Sequence, residues 1–278
     1  MVGPRPRARL AERAGPVNCA VGLAEWRLPA SGAASVRAAA EAGADGVQLD
    51  LGGPGRGPWL DAPGRTDAVR AAADATGVRL LAVAGNHLND VGLTSAAARP
   101  VLVRLLDTAV ALGVPLAFVP SFRRSAIDGP DAFAATAATL RWAAAEAEAR
   151  GLLLGSENVL PCGKARELAR RVASPAFRLV LDCYNPVKAG LRPDCLAACC
   201  GDLLADQVHL KDGPPDTGAS PPLGTGTAGL DATLGALRRV PVRALVLEND
   251  YRDGDRARLA ADLAWARRHA PTLSGTPR

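Results

Sequence analysis

The chain is poor in several residue types at once. It has one methionine, three histidines, four tryptophans, four phenylalanines and two tyrosines, and its lysines are confined to positions 164, 188 and 211. Nowhere do eighteen apolar residues run together, which removes a transmembrane helix. The basic opening MVGPRPRARLAERAG is followed by no apolar signal core, so a soluble cytoplasmic protein with no membrane partner is expected. Six cysteines, two of them adjacent at Cys199 and Cys200, show neither a paired framework nor a metal-ligand spacing. Reduced thiols packed as small hydrophobes are the expectation. The net charge is +5 and the pI near 9.1, yet the arginines are scattered along helical stretches, as at Arg166, Arg170 and Arg171. Without a dense basic run, nucleic acid is not an expected partner. A glycine-rich phosphate turn after the first apolar run is also missing, which argues against a doubly wound dinucleotide-binding sheet. No fixed repeat period links the units.

What is present is a regular alternation. A hydrophobic content of 48% over 278 residues supports a sizeable core, and no linker interrupts the middle. One domain over 1–278 is expected, with 1–15 and 272–278 as loose termini. Short apolar runs predict strands at Val17–Val21, Gly46–Leu51, Arg79–Ala84, Leu116–Val119, Leu152–Glu157, Arg178–Asp182, Gln207–Leu210 and Ala244–Glu248. Stretches rich in Ala, Arg and Leu predict helices at Ala33–Ala42, Thr66–Thr76, Ala97–Leu112, Pro130–Arg150, Gly163–Val172, Pro193–Leu204, Asp231–Arg238 and Asp255–His269. Eight strand–helix units in strict alternation predict an α/β fold of the (β/α)8 TIM-barrel type.

Four of these runs close on a residue that binds metal or moves protons: Glu157, Asp182, His209 and Glu248. In a closed parallel barrel the strand C-termini converge on one rim, where active sites are built. Any one of the four has ordinary roles in a salt bridge or a helix cap. Together in strand-end register they present three carboxylates and one imidazole, a hard, oxygen-rich set suited to Mn²⁺ or Mg²⁺, with Co²⁺ or Zn²⁺ as substitutes. Such an ion could chelate the carbonyl and a neighbouring hydroxyl of a sugar-like substrate and stabilise the enediolate formed when an adjacent C–H proton leaves. The two glutamates could then remove and return that proton.

The scarce residues crowd the same rim. Asn18, Asn86, Asn89, Asn158, Asn185 and Asn249 all fall at or just past predicted strand ends, as do Lys188 and Lys211. Asparagine favours turns in general, but the predicted helix-to-strand turns at the opposite face hold none. Trp26, Trp59, Phe118, Phe122, Tyr184 and Tyr251 lie near the rim and either wall a pocket or pack in the core. The candidate substrate contacts are His87, Asn185, Lys188, Lys211, Gln48, Trp26 and Tyr184, with Asp212 a further polar candidate. The turn Gly224-Thr225-Gly226 reads as a phosphate cradle or as a common short loop.

These residues carry a family resemblance. GADGVQLDL, LLLGSENV, FRLVLDCYNPVKAG, DQVHLKDG, PLGTGTAGLD and VLEND resemble, in order and over essentially the whole chain, the xylose isomerase-like TIM-barrel superfamily of sugar isomerases and epimerases. The resemblance implies that Glu157, Asp182, His209 and Glu248 hold a divalent metal and that the two glutamates shuttle the substrate proton. Three departures alter the hydroxyl-reading shell. Asn185 stands where the epimerases place a histidine after the sixth-strand aspartate, Gln48 stands where a glutamate is common, and no arginine follows His209 before Gly224. The endonuclease IV branch would need more histidines than three. The expected function is a metal-dependent isomerase or epimerase acting on a sugar or inositol-derived carbonyl compound. A lyase or dehydratase using the same enolate, or a non-catalytic binding barrel, is the alternative. A small polyol or sugar-like substrate is the expected partner, and a homodimer is compatible with the sequence.

Overall fold

A computed structural model describes residues 19–213 and 221–273. Its elements follow in the order β1 (Ala20–Ala24), α1 (Ala33–Ala42), β2 (Gly46–Asp50), α2 (Arg65–Thr76), β3 (Arg79–Ala84), α3 (Leu88–Val91), α4 (Ala98–Leu112), β4 (Leu116–Pro120) and α5 (Gly129–Ala149). They continue with β5 (Leu153–Glu157), α6 (Cys162–Val172), β6 (Phe177–Asp182), α7 (Asn185–Lys188), α8 (Pro193–Cys200), β7 (Leu204–Leu210), α9 (Leu230–Leu237), β8 (Ala244–Leu247) and α10 (Arg256–His269). Every strand pairs in parallel with the next, and β8 returns to β1 from Ala20↔Ala244 to Leu23↔Leu247, closing an eight-stranded barrel. An open doubly wound sheet would leave edges there; this one has none.

The barrel interior is narrow, and glycine makes room in it. A Cβ on Gly22 would meet Leu81 Cδ1 at 2.5 Å, and one on Gly155 would meet Val180 Cγ2 at 2.6 Å. Small strand residues therefore let Leu81 and Phe118 plug the tube. The larger apolar cluster lies between strands and helices, where Leu23, Val47, Leu49, Leu102, Leu105 and Leu140 are fully buried. Each such side chain contributes about 1.5–3 kcal/mol of transfer free energy.

Several expectations change. The first strand runs Ala20–Ala24 and not Val17–Val21. The run VNCAVGLA is apolar almost throughout, so only pairing, Gly22↔Gly46 and Ala20↔Ala244, fixes its start. Val17, Asn18 and residues 1–15 lie outside the described residues. The helix expected over Pro193–Leu204 stops at Cys200, a 3-10 turn spans Gly201–Leu203, and β7 starts at Leu204. One-turn helices α3 and α7 on the rim have no counterpart in the sequence reading; they are too short to show a period. Of the expected loose end, Thr272 and Leu273 close a 3-10 turn with Leu273 buried, while 274–278 lie outside the described residues. Cys162 and Cys199, with Cα atoms 6.4 Å apart, are joined as a disulfide, which corrects the expectation of six reduced thiols. Packing of α6 against α8 brings together two residues that no spacing rule links. Cys19, Cys183, Cys195 and Cys200 form no disulfide among the described residues. Burial pushes the Cys19 thiol up to about 11, as befits a small hydrophobe.

Candidate active site

Four adjacent strands deliver the four ligand-type residues to one rim. Glu157 and Asp182 are the last residues of β5 and β6, His209 is the penultimate residue of β7, and Glu248 follows β8 directly. Register sets their heights: Asp182 pairs with His209, His209 with Val246, and the Glu248 N–H donates to Leu210 O at 2.8 Å. All four are buried, and one ligand atom from each lies within 4.8 Å of the others.

Beneath the centre runs a relay of amides that ends on a carbonyl. Gln207 Nε2 donates to Leu81 O at 2.9 Å, Gln48 Nε2 donates to Gln207 Oε1 at 2.8 Å, and His209 Nε2 lies 2.8 Å from Gln48 Oε1. A backbone carbonyl only accepts, so each amide is oriented in turn and His209 must carry its proton on Nε2. In the neutral form that would bind a cation, the lone pair sits on Nδ1, facing Glu248 Oε2 at 3.3 Å and Glu157 Oε2 at 3.8 Å; with no cation held, these carboxylates and Asp182 outweigh burial and raise the pKa of the ring, favouring its protonated form.

The carboxylates are anchored on their outer oxygens. Asn185 Nδ2 donates to Glu157 Oε1 at 2.8 Å. Trp26 Nε1 donates to Glu248 Oε1 at 2.9 Å, joined by Arg27 at 3.1 and 3.3 Å. Asp182 Oδ1 accepts the Tyr184 and Asn185 N–H groups at 2.7 and 2.5 Å. That leaves Asp182 Oδ2, Glu248 Oε2 and His209 Nδ1 buried without an aligned hydrogen bond. Lys211 Nζ reaches the two oxygens at 3.1 and 3.0 Å as an ion pair lacking hydrogen-bond alignment. Orphaned, inward-facing atoms of this chemistry fit a hard divalent cation, so the group could hold a metal ion.

Electrostatics separates the two glutamates. Burial, reinforced by Glu248 and Asp182, pushes Glu157 up to about 7 against the pull of His209. For Glu248 burial acts the same way, but Lys211, His209 and Arg27 overcome it and hold the carboxyl well below the usual range. Lys211 is held protonated by Asp182 and Glu248 despite its burial. Burial also pushes Glu25 up to about 7. Its two oxygens accept the Gly32 and Asp50 N–H groups, which is a structural duty.

Above the centre opens a cavity of about 630 Å³. Trp26, Asn185, Lys188 and Lys211 line it, as does Glu157. Three other candidate contacts lie outside that lining. Gln48 is fully buried as the support of His209. His87 turns aside to pack edge-on against Trp59, ring centroids 5.2 Å apart. Tyr184 sits in the core between barrel and helices, 1% exposed. Asp212 is likewise structural: it accepts the N–H groups of Gly213, Gly224, Gly226 and Ala228 at 2.9–3.0 Å. The Gly224–Gly226 turn is thus folded around a carboxylate, and its amides are not free to cradle phosphate. Phe118 lies under His209, centroids 5.3 Å apart.

Arg27, Arg56, Arg123 and Arg252 also line the opening and were not singled out from sequence. Arg27 adjoins the rim candidate Trp26. The others lie in rim loops of a chain where arginine is too common to mark a site.

These features define a class: a (β/α)8-barrel enzyme with a buried carboxylate–imidazole centre at the C-terminal ends of β5 to β8. The chain belongs to the xylose isomerase-like TIM barrel family, whose model matches residues 36–269, and it is an enzyme of the isomerase and epimerase kind. A 2-epi-5-epi-valiolone 7-phosphate 2-epimerase from an Actinoplanes species is 63% identical over 258 residues, 91% of this chain and 96% of the relative. Among solved structures, a xylose isomerase domain protein from Planctomyces limnophilus superposes with a TM-score of 0.73 at 18% identity, covering 92% of this chain and 98% of that one. A 3-keto-D-glucoside 4-epimerase from E. coli gives 0.71 at 19%, covering 90% and 99%. At such identities the two structures bear on the fold alone. Among the described residues no helix is long and apolar enough to cross a membrane.

Proposed function

We propose that this protein is a 2-epimerase of a phosphorylated cyclitol ketone of the 2-epi-5-epi-valiolone 7-phosphate type. In this reading it inverts the carbon beside the carbonyl by removing and returning one proton. The observation that carries the reading is the meeting of Glu157 and Glu248 in one buried cluster, with an outer oxygen of Glu157 held by Asn185 and an outer oxygen of Glu248 held by Trp26 and Arg27. Two carboxyl groups fixed in this way in one cluster form a pair able to exchange acid and base roles across a bound substrate. The substrate class comes from the relative that shares 63% of its residues with this chain.

Glu248, fixed by Trp26 and Arg27, is the ionised base on one side. Glu157, steadied by Asn185, is the acid on the other. Asp182 and His209, with the inner oxygens of both glutamates, would hold a divalent ion, Mn²⁺ or Mg²⁺ by the hardness of the donors. When bound, that ion supplies positive charge beside the carbonyl whose neighbouring carbon is deprotonated. Lys211 covers two of the same carboxylates and keeps the charge of the centre near balance. Asn185, Lys188, Lys211 and Trp26 are the proposed substrate contacts among the sequence-derived candidates.

The test is incubation of the protein and Mn²⁺ with 2-epi-5-epi-valiolone 7-phosphate, followed by NMR. Inversion at carbon 2 with the skeleton intact is expected. Loss of water from the ring would instead assign a dehydratase, and an unchanged substrate would reject the reading.

A further inference from the structure

The phosphate of the proposed substrate needs a site, and the outer rim supplies one. Six basic and two acidic side chains line the opening. Two of the basic groups are committed to the centre, Arg27 to Glu248 and Lys211 to Glu248 and Asp182. Arg252 is matched by Asp250, which it meets at 2.7 and 2.5 Å. The remaining three are not balanced. Arg56 Nε donates to Asp90 Oδ2 at 2.5 Å and Arg123 donates to Oδ1 of the same carboxylate at 2.8 Å, so two guanidinium groups share one hydrogen-bonded carboxylate; the other acid that Arg56 reaches is Asp50, whose carboxyl burial pushes up toward its neutral form. Lys188 has no carboxylate partner among the described residues; its Nζ lies 5.8 Å from the Tyr184 ring centroid.

The backbone around Arg123 is held with unusual care. Arg123 has φ 53, in the left-handed region that a non-glycine residue adopts at an energetic cost, and such outliers persist only where surrounding contacts impose them. Here Asn89 Oδ1 accepts the Phe122 N–H at 2.9 Å. Ser125 Oγ donates to Leu88 O and accepts the Leu93 N–H, both at 2.7 Å. The loop after β4 is thereby tied to α3, the helix that carries Asp90. Each guanidinium meets Asp90 through one nitrogen and keeps its other donors for a ligand. A paired-guanidinium surface matches the oxygens of a phosphate dianion.

We propose that Arg56, Arg123 and Lys188 form the phosphate subsite of this opening, with Asp90 as the positioning residue that holds the two guanidiniums together. The subsite rests on the proposed function for its substrate. It also fits the locants: the phosphate is carried on carbon 7 and the inversion occurs at carbon 2, so anchoring and proton transfer are separate tasks. The Gly224–Gly226 turn is excluded for the anchoring role because its amides are bound to Asp212.

Steady-state kinetics on the full chain, with the phosphorylated cyclitol and its dephosphorylated counterpart, provide the test, alongside calorimetry with inorganic phosphate. The wild type should prefer the phosphorylated form by about 100-fold or more in kcat/KM. Arg123→Ala, Arg56→Ala and Lys188→Ala should each cut that preference about tenfold or more, chiefly through KM, and Arg123→Lys should lie between. All three variants should also weaken inorganic phosphate binding. A wild type indifferent to the phosphate, or variants that lower kcat/KM equally for both substrates, would overturn the proposal. Should neither cyclitol turn over, the functional reading fails, and calorimetry decides the subsite separately. Weakened phosphate binding in Arg123→Ala and Lys188→Ala then supports it, whereas binding that is unaltered, or absent in the wild type, overturns it.

Discussion

Gln48 Oε1 accepts the Nε2 proton of His209 at 2.8 Å, and that bond turns the Nδ1 lone pair toward the carboxylates. Its direction is imposed from Leu81 O through Gln207, so the relay acts as a fixed support for a ligand nitrogen. Groups that orient a metal-binding histidine in this way typically account for about 10- to 100-fold in metal affinity. Gln48→Leu should therefore weaken Mn²⁺ binding by that factor while the protein stays folded. Calorimetry on chelator-treated protein, with far-UV circular dichroism as the control, measures both. An unaltered Kd would show that the tautomer is set by something else.

Asp182 turns to the same centre an oxygen, Oδ2, that has no aligned hydrogen bond and meets Lys211 Nζ at 3.1 Å. Asp182→Ala removes a charged ligand from a set of four and should abolish stoichiometric Mn²⁺ binding. Elemental analysis after desalting reads this directly. One ion per chain retained in the variant would place the metal elsewhere.

Lys211 balances two buried carboxylates without help from solvent, being 4% exposed. Breaking a buried ion pair by removing one partner costs about 3–5 kcal/mol. Lys211→Met should therefore lower the urea midpoint sharply in chelator and recover much of the loss when Mn²⁺ is added. A variant as stable as the wild type in chelator would mean that Lys211 contributes no charge balance.

Glu157 gives the centre a pH signature. Its folded pKa, about 7, stands above its ordinary value of 4.5. Between those values the unfolded chain has released the proton and the folded one has kept it, so stability from this group is full below about pH 4.5 and is lost as pH rises through 7. At most about 3 kcal/mol is at stake. Glu157→Gln, in chelator, should melt above the wild type at pH 8 and close to level with it at about pH 4, below the unfolded pKa of 4.5. A gap that fails to close at low pH would trace the difference to packing. Saturating Mn²⁺ should reverse the order at pH 8, because the ion favours the carboxylate.

Much of this was legible in the sequence because parallel-barrel strands are short, apolar and closed by polar residues. Glu157, Asp182 and His209 could be placed at the ends of β5, β6 and β7 before any pairing was known. The first strand is set three residues early, at Val17–Val21, although Glu25 closes the apolar run directly after Ala24. Gln48 and Gln207 could not be read as supports, since they lie 159 residues apart and meet only across the barrel. Cys162 and Cys199, 37 residues apart, meet only where α6 packs against α8 outside the barrel, which no spacing rule shows. The sharing of Asp90 by Arg56 and Arg123 depends on loop geometry that no hydrophobic period encodes.

Proton transfer beside a carbonyl is the central claim, and turnover in deuterated water reads it most directly. Metal-loaded wild type should place solvent deuterium at carbon 2 of the phosphorylated cyclitol ketone as that centre inverts, seen as loss of its proton resonance. Glu157→Gln and Glu248→Gln should each slow that exchange about 10²- to 10⁴-fold, the usual cost of losing a general base or acid. Inversion that retains the original hydrogen, or full exchange rates in both variants, would contradict the account.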